Sequence, residues 1–256
     1  MAMLLSLLTP IDLTLMALGL CCAAVMRAFT GFGFALMAVP VLSLFLAPAD
    51  AVVLVASLTL TTSLVTYRAW WGRFRLGDGL PMVCGSVVGT VVGVLFLAQL
   101  SLAQFQLWIG LIVIVLCLLL SRYQPKSSSG GPVLAAGTGA VSGLMNGAFA
   151  IPGPPVIVYA MACIPEPVNS RGFLMAFFMI SSLISLITFS ISGLVTTTPF
   201  YLFPLSLPAV LVGDRLGTWL FRRIGGQAYR PVALAVSLGV GLAITFKALH
   251  AMGITV

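Results

Sequence analysis

The stretch from residue 139 to residue 162 is apolar enough for lipid, yet it is rich in prolines that a straight transmembrane helix does not accommodate. It reads GAVSGLMNGAFAIPGPPVIVYAMA, with Pro152, Pro154 and Pro155 close together. These prolines remove three backbone donors and predict a break near Gly153. Backbone groups freed inside a bilayer need partners, so a break is tolerated within protein or beside a watery cavity. The stretch therefore fits either a kinked packing helix or the binding site of a transporter.

A related interruption lies in the first half of the chain. Residues 27–40 read RAFTGFGFALMAVP, an apolar run that is interrupted by Gly31 and Gly33 and ended by Pro40. Interrupted hydrophobic segments at corresponding positions of two halves are the best sequence indication of a transporter binding site. The pairing therefore favours the functional interpretation of both breaks.

Charge content identifies the class of protein. Of 256 residues, 61% are hydrophobic and 7% are charged, whereas a soluble domain has about 25% charged residues. This composition predicts an all-α polytopic membrane protein. The net charge of +7 comes from basic residues scattered between apolar runs. Such scattering is typical of loops at an anionic membrane surface, so we expect a lipid bilayer rather than nucleic acid as partner.

The link at residues 122–131, RYQPKSSSGG, is the most loop-like stretch of the chain. It predicts a first transmembrane repeat over residues 1–121, a cytoplasmic linker, and a second repeat over residues 132–256. Each repeat is expected to open with a broken, re-entrant helical hairpin that is followed by three transmembrane helices. Elements of the form G-x-x-x-G-T begin at Gly85 and Gly213, and they indicate both duplication and close helix packing.

The distribution of basic residues predicts the topology. If each interrupted stretch is a hairpin, one side of the membrane receives nine of the twelve basic residues. The loops on that side are 68–78, 122–131, 164–171 and 222–230. If each stretch instead crosses the membrane once, the nine basic residues of these loops are divided between the two sides, five against four. The positive-inside rule favours hairpins, and five elements per half then make the two repeats inverted, which is a transporter architecture.

A substrate anion at membrane depth needs hydrogen-bond donors, which half-helix N-termini and exposed glycine backbone supply. The candidate substrate-binding residues at the two breaks are Arg27, Thr30, Gly31, Gly33, Asn146, Gly147, Pro152, Gly153 and Pro154. We expect the anion between the two tips, near the middle of the membrane. Arg27 is either a substrate ligand, because intramembrane charge is costly, or an anchor that reaches the interface.

Two polar stripes and one acid are further candidates. Thr59 and Ser63 share one helix face, and Ser181 and Ser185 share another. Their hydroxyls either line the anion path or pack helices together, and packing is the favoured interpretation. Asp214 lies well inside an apolar run, where it either couples transport to protons or is neutralised. Neutralisation by the arginine that follows it, or by a loop arginine, is the favoured alternative.

The order of these parts resembles the sulfite exporter TauE/SafE family, also called the toluene-sulfonate uptake permease family. The residues that carry the resemblance are Gly31, Gly33 and Pro40 in the first half, and Gly143, Gly147, Gly153, Pro154 and Pro155 in the second. The second motif matches well. The first departs from the family pattern, because Phe32 and Phe34 replace glycines. The paired arginines Arg222 and Arg223 also follow the second G-x-x-x-G-T element as they do in the family.

The resemblance implies a multi-pass protein of the bacterial inner membrane that transports small sulfur-containing or organic anions, such as sulfite, sulfonates or sulfoacetate-like compounds. Ion-coupled alternating access with a proton or sodium ion is the expected mechanism, and an uncoupled anion channel is the alternative. A homodimer is a further expected assembly. We expect no enzyme, metal or cofactor, because five scattered acids and one terminal histidine supply neither catalytic pairs nor metal ligands.

Overall fold

The computed structural model describes residues 9–30, 33–72, 76–122, 130–164, 166–224 and 226–252. Within these ranges the regular structure is helical throughout, which confirms the predicted all-α class. The first half contains α1 (Pro10–Thr30), α2 (Phe34–Leu42), α3 (Pro48–Val65), α4 (Leu76–Leu97) and α5 (Leu102–Arg122), with a short 3-10 helix (Tyr67–Ala69) after α3. The second half contains α6 (Pro132–Phe149), α7 (Gly153–Cys163), α8 (Pro167–Ile191), α9 (Thr197–Ile224) and α10 (Gly226–Ala251).

Several of these helices suit a lipid environment. In the described part of the chain, four segments are long and apolar enough to cross a membrane: Pro10–Ala28, Pro48–Val65, Gly79–Leu97 and Asn169–Ile191. Large apolar side chains also point outward, and Ile191 and Phe200 are 82% and 76% exposed. Lipid tails cover such apolar surfaces in a membrane, whereas a soluble protein rarely exposes so many large apolar side chains. The fold is therefore that of a multi-pass membrane protein.

α6 and α7 form a helical hairpin. α6 ends where Ala150 adopts a left-handed φ of 53° and donates its amide to the Asn146 carbonyl at 2.7 Å. α7 then returns along α6, because a Cβ placed on Gly130, just before α6, would contact Tyr159 and Cys163 near the end of α7. The segment thus enters and returns at the same end.

α1 and α2 form a second hairpin. Gly33, at φ 98°, precedes α2, and a Cβ on Gly19 in α1 would meet the Val41 side chain near the end of α2. α1 continues to Thr30, so Arg27 lies inside its last turn.

The chain divides into two compact units, and neither is a sequential half. The first unit comprises residues 1–55, 100–123 and 196–256, and the second comprises residues 56–99 and 124–195. The first unit therefore contains α1, α2, α5, α9 and α10, and the second contains α4, α6, α7 and α8. Each unit combines the opening hairpin of one half with the fourth helix of the other half.

In the second unit, glycines bring the backbones of α4 and α6 into direct contact. A Cβ on any of three α6 glycines would overlap a carbonyl oxygen of α4. The pairs are Gly139 with Met82, Gly143 with Ser86, and Gly147 with Thr90. Since the pairs advance together along both helices, α4 and α6 run parallel. Close approach through small residues is the packing mode available in lipid, where apolar burial gives no driving force.

In the first unit, α9 packs on α1 in the same manner. A Cβ on Gly213 would meet the backbone of Cys21, and one on Gly217 would meet Val25 and Ala28. These pairs also advance together, so α1 and α9 are parallel. The packing role that the sequence assigned to both G-x-x-x-G-T elements is confirmed, and each element contacts the opening helix of the opposite half.

Two glycines of α6 provide a matched test of this packing. Gly143→Ala should destabilise the protein by about 1–3 kcal/mol or more, because the new methyl group overlaps the Ser86 carbonyl. Gly137→Ala should be neutral or stabilising by about 0.5–1 kcal/mol, because nothing lies within 4 Å of its Cβ position and alanine favours a helix. Thermal unfolding in detergent measures both changes. Equal midpoints for the two variants would show that α4 and α6 are not packed as described.

Candidate functional site

Asn146 lies at the centre of a buried polar cluster in the second unit. It is 2% exposed, and its Nδ2 atom donates to Ser185 Oγ at 2.6 Å, to Ser181 Oγ at 2.7 Å and to the Ser181 carbonyl at 2.9 Å. Both serine residues are 0% exposed. We call Asn146, Ser181 and Ser185 the Asn146 cluster. The sequence identified these residues separately, as a helix break and a polar stripe, and the structure brings them together.

The direction of these hydrogen bonds determines what the cluster can bind. Because Asn146 donates, the two serine hydroxyl oxygens accept, and among the described residues neither hydroxyl donates to a protein acceptor. The neighbouring Ser182 differs, since its hydroxyl donates to the Phe178 carbonyl at 2.7 Å. Two buried O–H groups of the cluster therefore remain available to an acceptor, such as an anion oxygen.

The start of α7 lies beside this cluster. The Pro152 carbonyl accepts a hydrogen bond from Ser142 of α6. A Cβ on Gly153 would lie 3.7 Å from the ring of Phe178, which precedes Ser181 by about one turn on α8. The helix N-terminus, with its positive dipole end, thus contacts α6 and α8 about one turn before the residues of the cluster.

Prolines limit what this helix end can donate. Pro154 and Pro155 carry no N–H group, so Gly153 supplies the single free amide of the first three positions of α7. Among the described residues, the buried Gly153 amide has no hydrogen-bond acceptor. The break therefore offers one unpaired backbone N–H group rather than several.

Gly147 has a different environment from the one expected for a residue that exposes its backbone to an anion. Its Cα faces the Thr90 carbonyl, and any Cβ would overlap that oxygen. Glycine is therefore required at this position by the contact between α4 and α6. A direct contact between Gly147 and the substrate stays a prediction.

At the C-terminal end of α3, two threonines near Thr59 and Ser63 donate their hydroxyls to carbonyls of the same helix. The Thr62 hydroxyl donates to the Leu58 carbonyl at 2.8 Å, and the Thr66 hydroxyl donates to the Thr62 carbonyl at 2.7 Å. The Ser63 carbonyl accepts the indole N–H of Trp70 at 2.9 Å. These contacts stabilise α3 and its C-terminal turn, and the predicted role of Thr59 and Ser63 in the anion path stays untested.

In the first unit, Arg27 forms an ion pair with Asp214. The Nη1 to Oδ1 distance is 3.3 Å, and the side chains are 5% and 20% exposed. This corrects the expectation that Arg215 or a loop arginine neutralises Asp214, since Arg215 is exposed. It also excludes a simple interfacial anchor, because Arg27 is buried against another helix. The parallel contact through Gly213 and Gly217, which flank Asp214, brings the two charges together.

The remaining candidates at the first break are only partly described. The backbone of Thr30 ends α1, but its side chain lies outside the described residues, as does all of Gly31. Gly33 is half-buried and left-handed. The role of these residues in anion binding is therefore still a proposal. Within the ranges that the structure covers, no three His, Cys, Asp or Glu side chains are grouped as metal ligands.

Apolar helices on the outside, with uncharged donors buried at a helix break, define the class: a polytopic membrane protein. Residues 15–244 match the family model described as "Sulfite exporter TauE/SafE". The chain belongs to the sulfite exporter TauE/SafE family, which confirms the resemblance found in its motifs.

A named relative is similar to this chain over most of its length. The chain is 27% identical, over 231 residues, to a protein of Cupriavidus necator named "Probable sulfite/organosulfonate exporter TauE". The alignment covers 88% of this chain and 90% of that protein. No solved structure gives a significant match.

Proposed function

We propose that this protein is a secondary transporter that carries sulfite or organosulfonates across the inner membrane of a bacterium. It binds the anion at the break between α6 and α7. The observation that carries the proposal is the Asn146 cluster beside the amide of Gly153. The two buried hydroxyls of the cluster and this amide have no acceptor among the residues that the structure describes. Family membership and the name of the Cupriavidus necator relative support sulfur oxyanions as the substrate and export as the direction.

Neutral donors suit a transported anion. A desolvated oxyanion must recover its lost hydration, and each hydrogen bond to a charged group is worth roughly 1.5–3 kcal/mol. Hydroxyl and amide groups provide such bonds while carrying no formal charge of their own. The site can therefore bind a sulfite or sulfonate oxygen and still release the anion when the protein changes conformation.

The transport cycle proposed is alternating access of two inverted repeats, coupled to a proton or sodium ion. Reciprocal packing supports the repeats. α4, the fourth helix of the first half, packs on α6, and α9, the fourth helix of the second half, packs on α1. Both contacts use the same G-x-x-x-G-T element and the same parallel direction.

The inverted arrangement predicts a common cytoplasmic side for the basic loops. Single cysteines placed in residues 122–131 and 222–230, in a chain whose native cysteines are replaced, should both react with a thiol reagent only after the membrane is permeabilised. Labelling of the two loops from opposite sides would exclude the inverted repeats.

Flux into liposomes tests the function itself. Purified protein in proteoliposomes should move sulfite with saturable kinetics, and an imposed proton or sodium gradient should drive accumulation. The sulfite recovered should be chemically unchanged. Flux that rises linearly with concentration and ignores both gradients would identify the uncoupled channel instead.

A further inference from the structure

Thr90 of α4 carries a buried hydroxyl with no partner. The residue is 0% exposed, and in the part of the chain that the structure describes its Oγ1 is the one buried side-chain polar atom without a hydrogen bond. A polar group left unpaired in a dry interior is unfavourable. Such a group in a membrane protein is explained when a ligand completes its hydrogen bonding.

The Thr90 hydroxyl is also not paired with a carbonyl of its own helix. Two other buried hydroxyls in the second unit donate to a carbonyl of their own helix about one turn earlier. Ser86, on the same face of α4, donates to the Val83 carbonyl at 2.8 Å, and Ser182 donates to the Phe178 carbonyl at 2.7 Å. Thr90 lacks the equivalent bond, so its hydroxyl is left for another acceptor.

Thr90 lies at the level of the Asn146 cluster. Its backbone contacts Gly147, the residue after Asn146. α4 also packs against α8, which carries Ser181 and Ser185. Two of three mutually packed helices, α4 and α8, therefore contribute the hydroxyls of Thr90, Ser181 and Ser185, and the third, α6, contributes Asn146.

We infer that Thr90 is a further substrate-contacting residue, whose hydroxyl donates to an oxygen of the bound anion. This inference rests on the proposed function. Hydroxyls from α4 and α8, with the Gly153 amide from α7, approach the ligand from different helices. Donors arranged around a ligand in this way fit the pyramidal SO3 head that sulfite and organosulfonates share.

The test is the nearly isosteric variant Thr90→Val, with calorimetric titration of sulfite and of methanesulfonate. Binding of both should weaken about tenfold or more, while the thermal midpoint of the ligand-free protein should stay or rise, because an unpaired hydroxyl is removed. Thr90→Ser should keep near-normal affinity. Thr218→Val is the matched control, since Thr218 holds the same place in the second G-x-x-x-G-T element but is exposed.

Several results would overturn the assignment. Wild-type affinity in Thr90→Val would show that the hydroxyl does not touch the anion. A lower thermal midpoint for the ligand-free Thr90→Val protein, with Thr90→Ser at wild-type stability, would show that the hydroxyl has a structural partner instead. If Thr90→Val does not fold, Thr90→Ala replaces it in the titration, and wild-type affinity there has the same meaning. A wild-type protein that binds neither ligand would overturn the proposed function, and this inference with it.

Discussion

Asn146→Asp should abolish sulfite binding at neutral pH, although the side chain keeps its size. A carboxylate has no N–H group, so it cannot donate to Ser181 and Ser185 as the amide does. Both hydroxyls would then donate to the carboxylate and would no longer be available to the substrate. The new negative charge would also repel the anion at close range in a poorly screened site. Calorimetric titration and sulfite flux in proteoliposomes measure the loss.

Alanine variants separate charge from hydrogen bonding. Ser181→Ala and Ser185→Ala should each weaken binding about ten- to a hundredfold, which corresponds to one lost hydrogen bond to a charged ligand. Asn146→Ala should also weaken binding, because the two hydroxyls lose the donor that leaves their O–H groups available to the anion. Ser182→Ala is the control, because that hydroxyl is already paired with its own helix. Binding by Asn146→Asp at wild-type strength would remove the cluster from the substrate site.

Removing one partner of the Arg27–Asp214 pair should destabilise the protein by about 3–5 kcal/mol, because an uncompensated charge is left in a largely buried position. Arg27→Met and Asp214→Leu should each reduce the yield of folded protein. The double variant should recover most of the loss, since apolar side chains of similar volume can replace a buried pair. Arg215→Ala should have little effect. Thermal unfolding and size-exclusion profiles in detergent give the comparison.

The same double variant decides whether Arg27 holds the substrate, as the sequence suggested. If neutral donors in the second unit bind the anion, the folded double variant should bind sulfite with wild-type affinity. A folded double variant that binds no sulfite would make Arg27 a ligand. Retained binding with lost gradient-driven accumulation would place the pair in ion coupling, the less favoured of the two roles that the sequence left open for Asp214.

The positions of the breaks could be predicted because their causes are local. Prolines at the second break remove amides and exclude a continuous helix whatever surrounds them, and α6 and α7 end and begin at Phe149 and Gly153. Hydrophobic runs likewise predicted the helical class.

The pairing of helices could not be predicted in this way. Arg27 and Asp214 are 187 residues apart, and their contact depends on which helix packs against α1. Periodicity placed Ser181 and Ser185 on one face, but it did not show that Asn146 lies opposite them. The unpaired hydroxyl of Thr90 was missed for the same reason, because the motif around it was interpreted through its glycines alone.

The most direct test of the central claim is to locate a bound anion. Selenite resembles sulfite in charge and shape, and its selenium scatters anomalously, so a crystal of the selenite-bound protein would reveal the site without ambiguity. We expect the selenium peak at the break between α6 and α7, with its oxygens within hydrogen-bonding distance of Ser181 Oγ, Ser185 Oγ and the Gly153 amide. A peak more than one helical turn from the Asn146 cluster and from Gly153 would contradict the account.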